Sequence, residues 1–174
     1  MSAPKRPAPP PPNNDLVQLR SYFDKVDSNK NGRISATELQ SALTNGMEEF
    51  PFQLSTVKAI MEAFGKGDEI NFDTFQHLWR YVFDWQKCFR RFDVNKSGSI
   101  EVQELHTALT TFGYNISNAL CYTLVQRFDR TGKNEILFDD FIRCCLILHV
   151  SFQSSVLVLD SLPQGYWAPS TFLP

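Results

Sequence analysis

The sequence predicts an all-α protein built from helix–loop–helix units arranged in pairs. Two observations carry this. Apolar residues recur at i, i+3, i+4 and i+7, as in Val57, Ile60, Met61 and Phe64, and again in Cys121, Leu124, Val125 and Phe128. Between such stretches lie short polar loops, each with a phenylalanine close before it and one isoleucine inside it: Phe23 and Ile34, Phe64 and Ile70, Phe92 and Ile100, Phe128 and Ile136.

The first loop, Asp27 to Glu38, reads D-S-N-K-N-G-R-I-S-A-T-E. It matches the twelve-residue EF-hand calcium pattern at every specified position. Asp27, Asn29 and Asn31 offer oxygens at positions 1, 3 and 5, and Arg33 offers its backbone carbonyl at position 7. Ser35 at position 9 acts through a water, and Glu38 at position 12 is the bidentate carboxylate. Gly32 stands where the loop turns sharply. The third loop, Asp93 to Glu104, repeats the plan with Asp93, Asn95, Ser97, the Ser99 carbonyl and Glu104. Glu101 adds a further carboxylate at position 9. Both ligand sets belong to the sensor range of affinity, on the order of 10⁻⁷–10⁻⁵ M, and their oxygens also suit magnesium as a competitor.

The other loops are degenerate. The second, from Gly65 to Thr74, is two residues short and lacks an acidic anchor at either end. The fourth starts at Asp129, places Lys133 at position 5, replaces the turn glycine by Asn134, and ends in Asp140, one methylene shorter than Glu. These loops are expected to be silent toward calcium and to pair with the live ones, Ile34 with Ile70 and Ile100 with Ile136. A fifth remnant follows Val156–Leu159, where Asp160 and Gly165 keep loop positions but Leu162 and Pro163 do not suit a cation.

In order, Asp15 is expected to cap a first helix with Leu16, Leu19, Phe23 and Val26 inside, and Asn45-Gly46 to stop the second. Ser55 is expected to cap the third. One long helix runs from Phe75 to Phe92, with Phe75, Leu78, Trp79, Val82, Phe89 and Phe92 inward and Tyr81, Phe83 and Trp85 on other sides. Gly113 ends the helix after the third loop, Ser117 caps the next, and 141–148 is apolar almost all round. The division is a Pro-rich tail at 1–14 and a domain at 15–174, with hands at 15–46, 52–82, 84–112 and 117–149 and a remnant at 150–174. In the tail, Arg6, Pro9 and Pro12 have the spacing of an SH3 ligand, although a solubilising segment is the simpler reading.

Composition narrows the function. The net charge of −2 offers no basic field for nucleic acid. No run of eighteen apolar residues spans a membrane, so membrane association is expected only at the periphery. Cys88, Cys121, Cys144 and Cys145 match neither a zinc pattern nor a disulfide framework and read as reduced, buried thiols of a cytoplasmic protein. Cys144, Cys145 and His149 lie within two helical turns, yet no oxyanion donor or base with an orienting partner is recognisable, so no enzyme is expected.

Several stretches together resemble the penta-EF-hand family. They are Asp27 to Glu38 followed by Leu39-Gln40-Ser41-Ala42-Leu43-Thr44-Asn45-Gly46, then Trp79-Arg80-Tyr81-Val82 with Asp84-Trp85-Gln86, Phe112-Gly113-Tyr114, Phe128-Asp129-Arg130, and Phe138-Asp139-Asp140-Phe141-Ile142. The likeness covers residues 16 to 149; Asn115 and the chain after about 150 depart from it. The resemblance implies eight helices and a fifth hand that pairs with another subunit, as a homo- or heterodimer that the odd C-terminus would weaken. It implies a non-enzymatic calcium-dependent adaptor of the cytoplasm, with the nucleus a second compartment. Its partners would present proline- and tyrosine-containing peptides at endoplasmic-reticulum exit sites and endosomes. Two other classes compete: a passive calcium buffer, and a calmodulin-like regulator, whose groove relies on methionine, of which this chain has three.

Overall fold

The computed structural model describes residues 16–46, 51–64 and 67–155, the last seven without side chains. The Pro-rich tail, Asp15 as a cap, and the fifth remnant with Val156–Leu159 lie outside the described residues. The order of elements is α1 (Leu16–Val26), β1 (Ile34–Ser35), α2 (Ala36–Gly46), α3 (Leu54–Ala63), β2 (Glu69–Ile70), α4 (Phe72–Phe92), β3 (Ile100–Glu101), α5 (Val102–Thr111), α6 (Asn118–Phe128), β4 (Glu135–Ile136) and α7 (Phe138–Ser155). The described residues thus form seven helices with two-residue strands between them. Two compact units divide within α4, between Arg80 and Tyr81.

In the first unit, β1 and β2 pair antiparallel, with Ile34 opposite Ile70 and Ser35 opposite Glu69. The register expected from the loops is therefore present, and it ties the live loop to the short one. Both isoleucines are buried. Phe23 packs edge-on against Phe72 and Phe75, and Phe75 stacks on Trp79. Tyr22 lies 5.1 Å from Trp79 and donates its hydroxyl to the Ala42 carbonyl at 2.9 Å, joining α1 to α2. Leu16, placed inward by periodicity, is 52 % exposed, and Tyr22 is buried instead.

Two helix starts differ from expectation for local reasons. α4 begins at Phe72, three residues before Phe75, because Asn71 caps it: the Asn71 Oδ1 accepts from Thr74 N–H at 3.0 Å. α3 starts after Gln53 rather than at Ser55, which lies inside the helix and donates to Gln53 Oε1.

In the second unit, β3 pairs with β4, with Ile100 opposite Ile136 and Glu101 opposite Glu135. Trp85 packs edge-on against Phe112 and Phe141, and Phe89 against Phe138 and Phe141. Gly113 ends α5 at φ +86°, with its own N–H on the Thr110 carbonyl and Tyr114 N–H on the Leu109 carbonyl. These are the paired bonds of a Schellman stop, which needs a left-handed residue. Ser117 caps α6 by accepting from Leu120 N–H. Of α7, Phe141, Ile142, Cys144, Cys145 and Leu148 are buried, while Ile147 is 43 % exposed. All four cysteines are buried free thiols.

Candidate metal centre

The first and third loops fold by one set of rules. At position 1, Asp27 accepts from Asn31 N–H at 3.1 Å and Gly32 N–H at 2.8 Å. Asp93 accepts from Ser97 N–H at 2.9 Å and Gly98 N–H at 3.0 Å. These carboxylates hold the backbone in a tight ring, and both are buried. The chain turns through positive φ at position 4 (Lys30, Lys96) and position 6 (Gly32, Gly98). Asn29 and Asn95 at position 3 each accept from the N–H of position 5 at 2.9 Å, and Asn31 accepts from Arg33 N–H at 2.8 Å.

Position 12 closes each ring. Glu38 accepts from Ser28 N–H at 2.9 Å with one oxygen, and from Ser35 N–H and hydroxyl with the other. Glu104 accepts from Val94 N–H and Glu101 N–H, each at 3.0 Å. Each glutamate thus bridges loop positions 2 and 9, and stands in the first turn of the exit helix, α2 or α5. Burial raises the Glu38 pKa, but the hydrogen bonds from Ser35 and Ser28 outweigh it and hold the carboxyl below its ordinary value. The carboxylate stays charged at neutral pH.

Among the described residues no three His, Cys, Asp or Glu side chains converge as a metal cluster. That is consistent with the donor set of an EF-hand loop, which mixes carboxylates with amide, hydroxyl and backbone oxygens. All the candidate donors are hard oxygens on one twelve-residue ring, so the residues present fit a hard divalent cation.

The fourth loop keeps the ring and changes its closure. Asp129 accepts from Thr131, Gly132 and Asn134 N–H at 2.8 Å each, and positive φ recurs at Gly132 and Asn134. Asn134 therefore performs the turn that glycine makes elsewhere. At the closing position, Asp140 forms an ion pair with the Arg130 guanidinium, which also hydrogen-bonds Asp139. Lys133, at position 5, is exposed at the surface, and the cation that meets the closing carboxylate is Arg130.

Three residues near the loops escaped the motif: Arg130, Glu69 and Glu135. The Glu69 carboxylate accepts from the Asn31 amide at 3.3 Å, and that of Glu135 from the Ser99 hydroxyl at 2.8 Å. The one signal for Glu69 and Glu135 in the sequence is their place just before the pairing isoleucines. Burial pushes Cys88 and Cys144 up to about 12 and Cys145 well above the usual range, so none offers a thiolate nucleophile at neutral pH. No helix among the described residues is long and apolar enough to cross a membrane.

Paired loops, a twelve-residue oxygen ring and a glutamate closing it define an EF-hand protein. The EF-hand domain pair model matches residues 83–146 and the EF-hand domain model residues 18–47. The chain is 43 % identical to sorcin of Schistosoma japonicum over 136 residues, covering 77 % of this chain and 78 % of that protein. It is 35 % identical to human sorcin over 170 residues, covering 94 % and 82 %. A solved structure of a homolog of programmed cell death 6 protein from Leishmania major Friedlin superposes with a TM-score of 0.66 at 27 % identity, over 79 % of each chain. The chain belongs to the penta-EF-hand family.

Proposed function

We propose that this chain binds calcium at the first and third loops and then recruits proline- and tyrosine-containing peptides of partner proteins, as an adaptor of the programmed-cell-death type. The observation that carries the reading is the closure of both rings by Glu38 and Glu104, each bridging positions 2 and 9. Asp27, Asn29, Asn31, the Arg33 carbonyl and Glu38 would hold one ion; Asp93, Asn95, Ser97, the Ser99 carbonyl and Glu104 would hold the other. The ion supplies a double positive charge to carboxylates that otherwise repel. Glu104 and Glu101 form a capping box at the start of α5, and the far end of α5 rests on Phe112, which touches Trp85 at 5.8 Å. A displacement at Glu104 therefore reaches an aromatic seam through one rigid helix. Opening that seam would expose flat rings suited to a polyproline II ligand. Recruitment to endoplasmic-reticulum exit sites or endosomes, and pairing through a fifth hand, belong to the same proposal.

Isothermal titration tests the sites: Glu38→Ala and Glu104→Ala should each remove one of two calcium ions. Retention of both ions in either variant would overturn the assignment. Capture of a Pro/Tyr peptide by wild type in calcium, but not in chelator or by Glu104→Ala, tests the adaptor; equal capture throughout would refute it.

The burial of Trp79 and Trp85, at 2 % and 0 % exposure, favours a second reading. If these rings stay in the core, the protein is a calcium buffer that changes little on binding. Tryptophan emission unchanged by calcium would support the buffer.

A further inference from the structure

Position 5 is neutral in both live loops: Asn31 in the first, Ser97 in the third. A neutral ligand has two faces for a cation. A carboxamide can turn its NH₂ inward as easily as its oxygen, and a hydroxyl can point its proton at the ion instead of its lone pairs. Inside the ring, Arg33 N–H takes the Asn31 oxygen and Ser99 N–H reaches Ser97 Oγ at 3.3 Å; a group outside the ring can hold the other end of each ligand and fix that choice.

In both units a glutamate of the silent loop stands where it can. The Asn31 amide has its oxygen on Arg33 N–H at 2.8 Å and its nitrogen on the Glu69 carboxylate at 3.3 Å. An ionised carboxylate only accepts, so Glu69 draws the NH₂ outward and leaves the oxygen to the loop. In the third loop the effect passes through one hydroxyl. Ser99 donates its single proton to Glu135 at 2.8 Å, so its own oxygen can only accept. Ser97 Oγ lies 3.0 Å from that hydroxyl and 3.1 Å from the Ser99 carbonyl, against 3.4 Å to Asp93. Its proton is drawn to Ser99, one lone pair accepts from Ser99 N–H at 3.3 Å, and the other remains for a cation. Glu69 and Glu135 occupy equivalent places, each one residue before the pairing isoleucine and opposite position 9 of the live loop.

We infer that Glu69 and Glu135, carried by the loops that have lost their own site, are positioning residues that hold the neutral position-5 ligands of the first and third loops with oxygen toward the ion. The inference deepens the calcium reading above and rests on it. The silent loop then serves the live one chemically as well as through strand pairing. Outer residues that orient metal ligands typically change affinity 10- to 100-fold.

A double-mutant cycle tests it, with site one isolated by Glu104→Ala and site two by Glu38→Ala. Glu69→Ala should weaken calcium at site one roughly tenfold, the low end for such residues because the pair is exposed. In an Asn31→Asp background the same change should cost nothing, since either oxygen of a carboxylate serves. Glu135→Ala and Ser97→Asp should behave alike at site two. Glu135→Gln, which keeps an acceptor and loses the charge, should retain most of the affinity. Equal losses in the Asn and Asp backgrounds, no loss from either alanine, or Gln as weak as Ala would overturn the inference, leaving at most a remote charge effect. A calcium-free readout separates the two claims. The Asn31 side-chain amide protons should exchange slowly in wild type and fast in Glu69→Ala. Slow exchange with no calcium uptake would sink the calcium reading alone; fast exchange in wild type would sink the orienting role alone.

Discussion

The Arg130 guanidinium lies against the carboxylate of Asp140, the residue that holds in the fourth loop the place of Glu38 and Glu104 in the first and third. Arg130 stands at position 2 of its own loop, where Ser28 and Val94 present their backbone N–H to the closing glutamate. A side-chain cation thus closes a ring whose closing carboxylate is too short to do as Glu does.

Arg130→Ala should therefore destabilise the second unit. The side chains of Asp139 and Asp140 are at most 3 % exposed and would lose the guanidinium that both contact, while the Arg130 side chain is 29 % exposed. The expected loss is about 3 kcal/mol at pH 7, the lower end for breaking a buried pair. Urea unfolding in chelator measures it. The loss should shrink at pH 5, where Asp140 is protonated; a loss under about 0.5 kcal/mol, the usual scale of surface changes, would show that the pair carries little.

Asp140 also sets a pH dependence. Burial, and next the charge of Asp139, raise its pKa from 3.8 to about 6, against the pull of Arg130 and Arg143. The native state therefore holds a proton between about pH 4 and 6 that the unfolded chain releases. Its contribution to stability is full below about pH 4 and is lost as pH rises through about 6. Asp140→Asn should remove that slope from calcium-free unfolding curves. An identical slope in the variant would assign the dependence elsewhere.

Trp85 is fully buried against Phe112 and Phe141. Trp85→Ala should cost about 3–5 kcal/mol, as for other large core aromatics, whatever it does to peptide binding. A variant of near wild-type stability that fails only in peptide capture would mark Trp85 as a surface ligand-binding residue.

Gly113→Ala isolates a backbone effect. An added Cβ meets nothing within 4 Å, yet φ is +86°. The expected cost is about 1 kcal/mol, from left-handed strain alone. A thermal scan showing no loss would mean that the α5 stop relaxes.

The sequence by itself determined the helices, the two oxygen rings and the pairing of Ile34 with Ile70 and Ile100 with Ile136. Each is a local matter: a twelve-residue ring is closed by its own residues, and the isoleucine in it has one place to pair. The Gly113 stop and the Ser117 cap were legible for the same reason. The tertiary structure decided what crosses between loops and which rings are inside. Nothing in the spacing says that Glu69 reaches Asn31 across 38 residues, that Glu135 reaches Ser99 across 36, or that Arg130 rather than Lys133 enters the fourth loop. Trp79, Tyr81 and Trp85 cover several faces of α4, and only packing shows that all three are buried. Periodicity reports one face of one helix, whereas these contacts depend on where a second element brings its side chains.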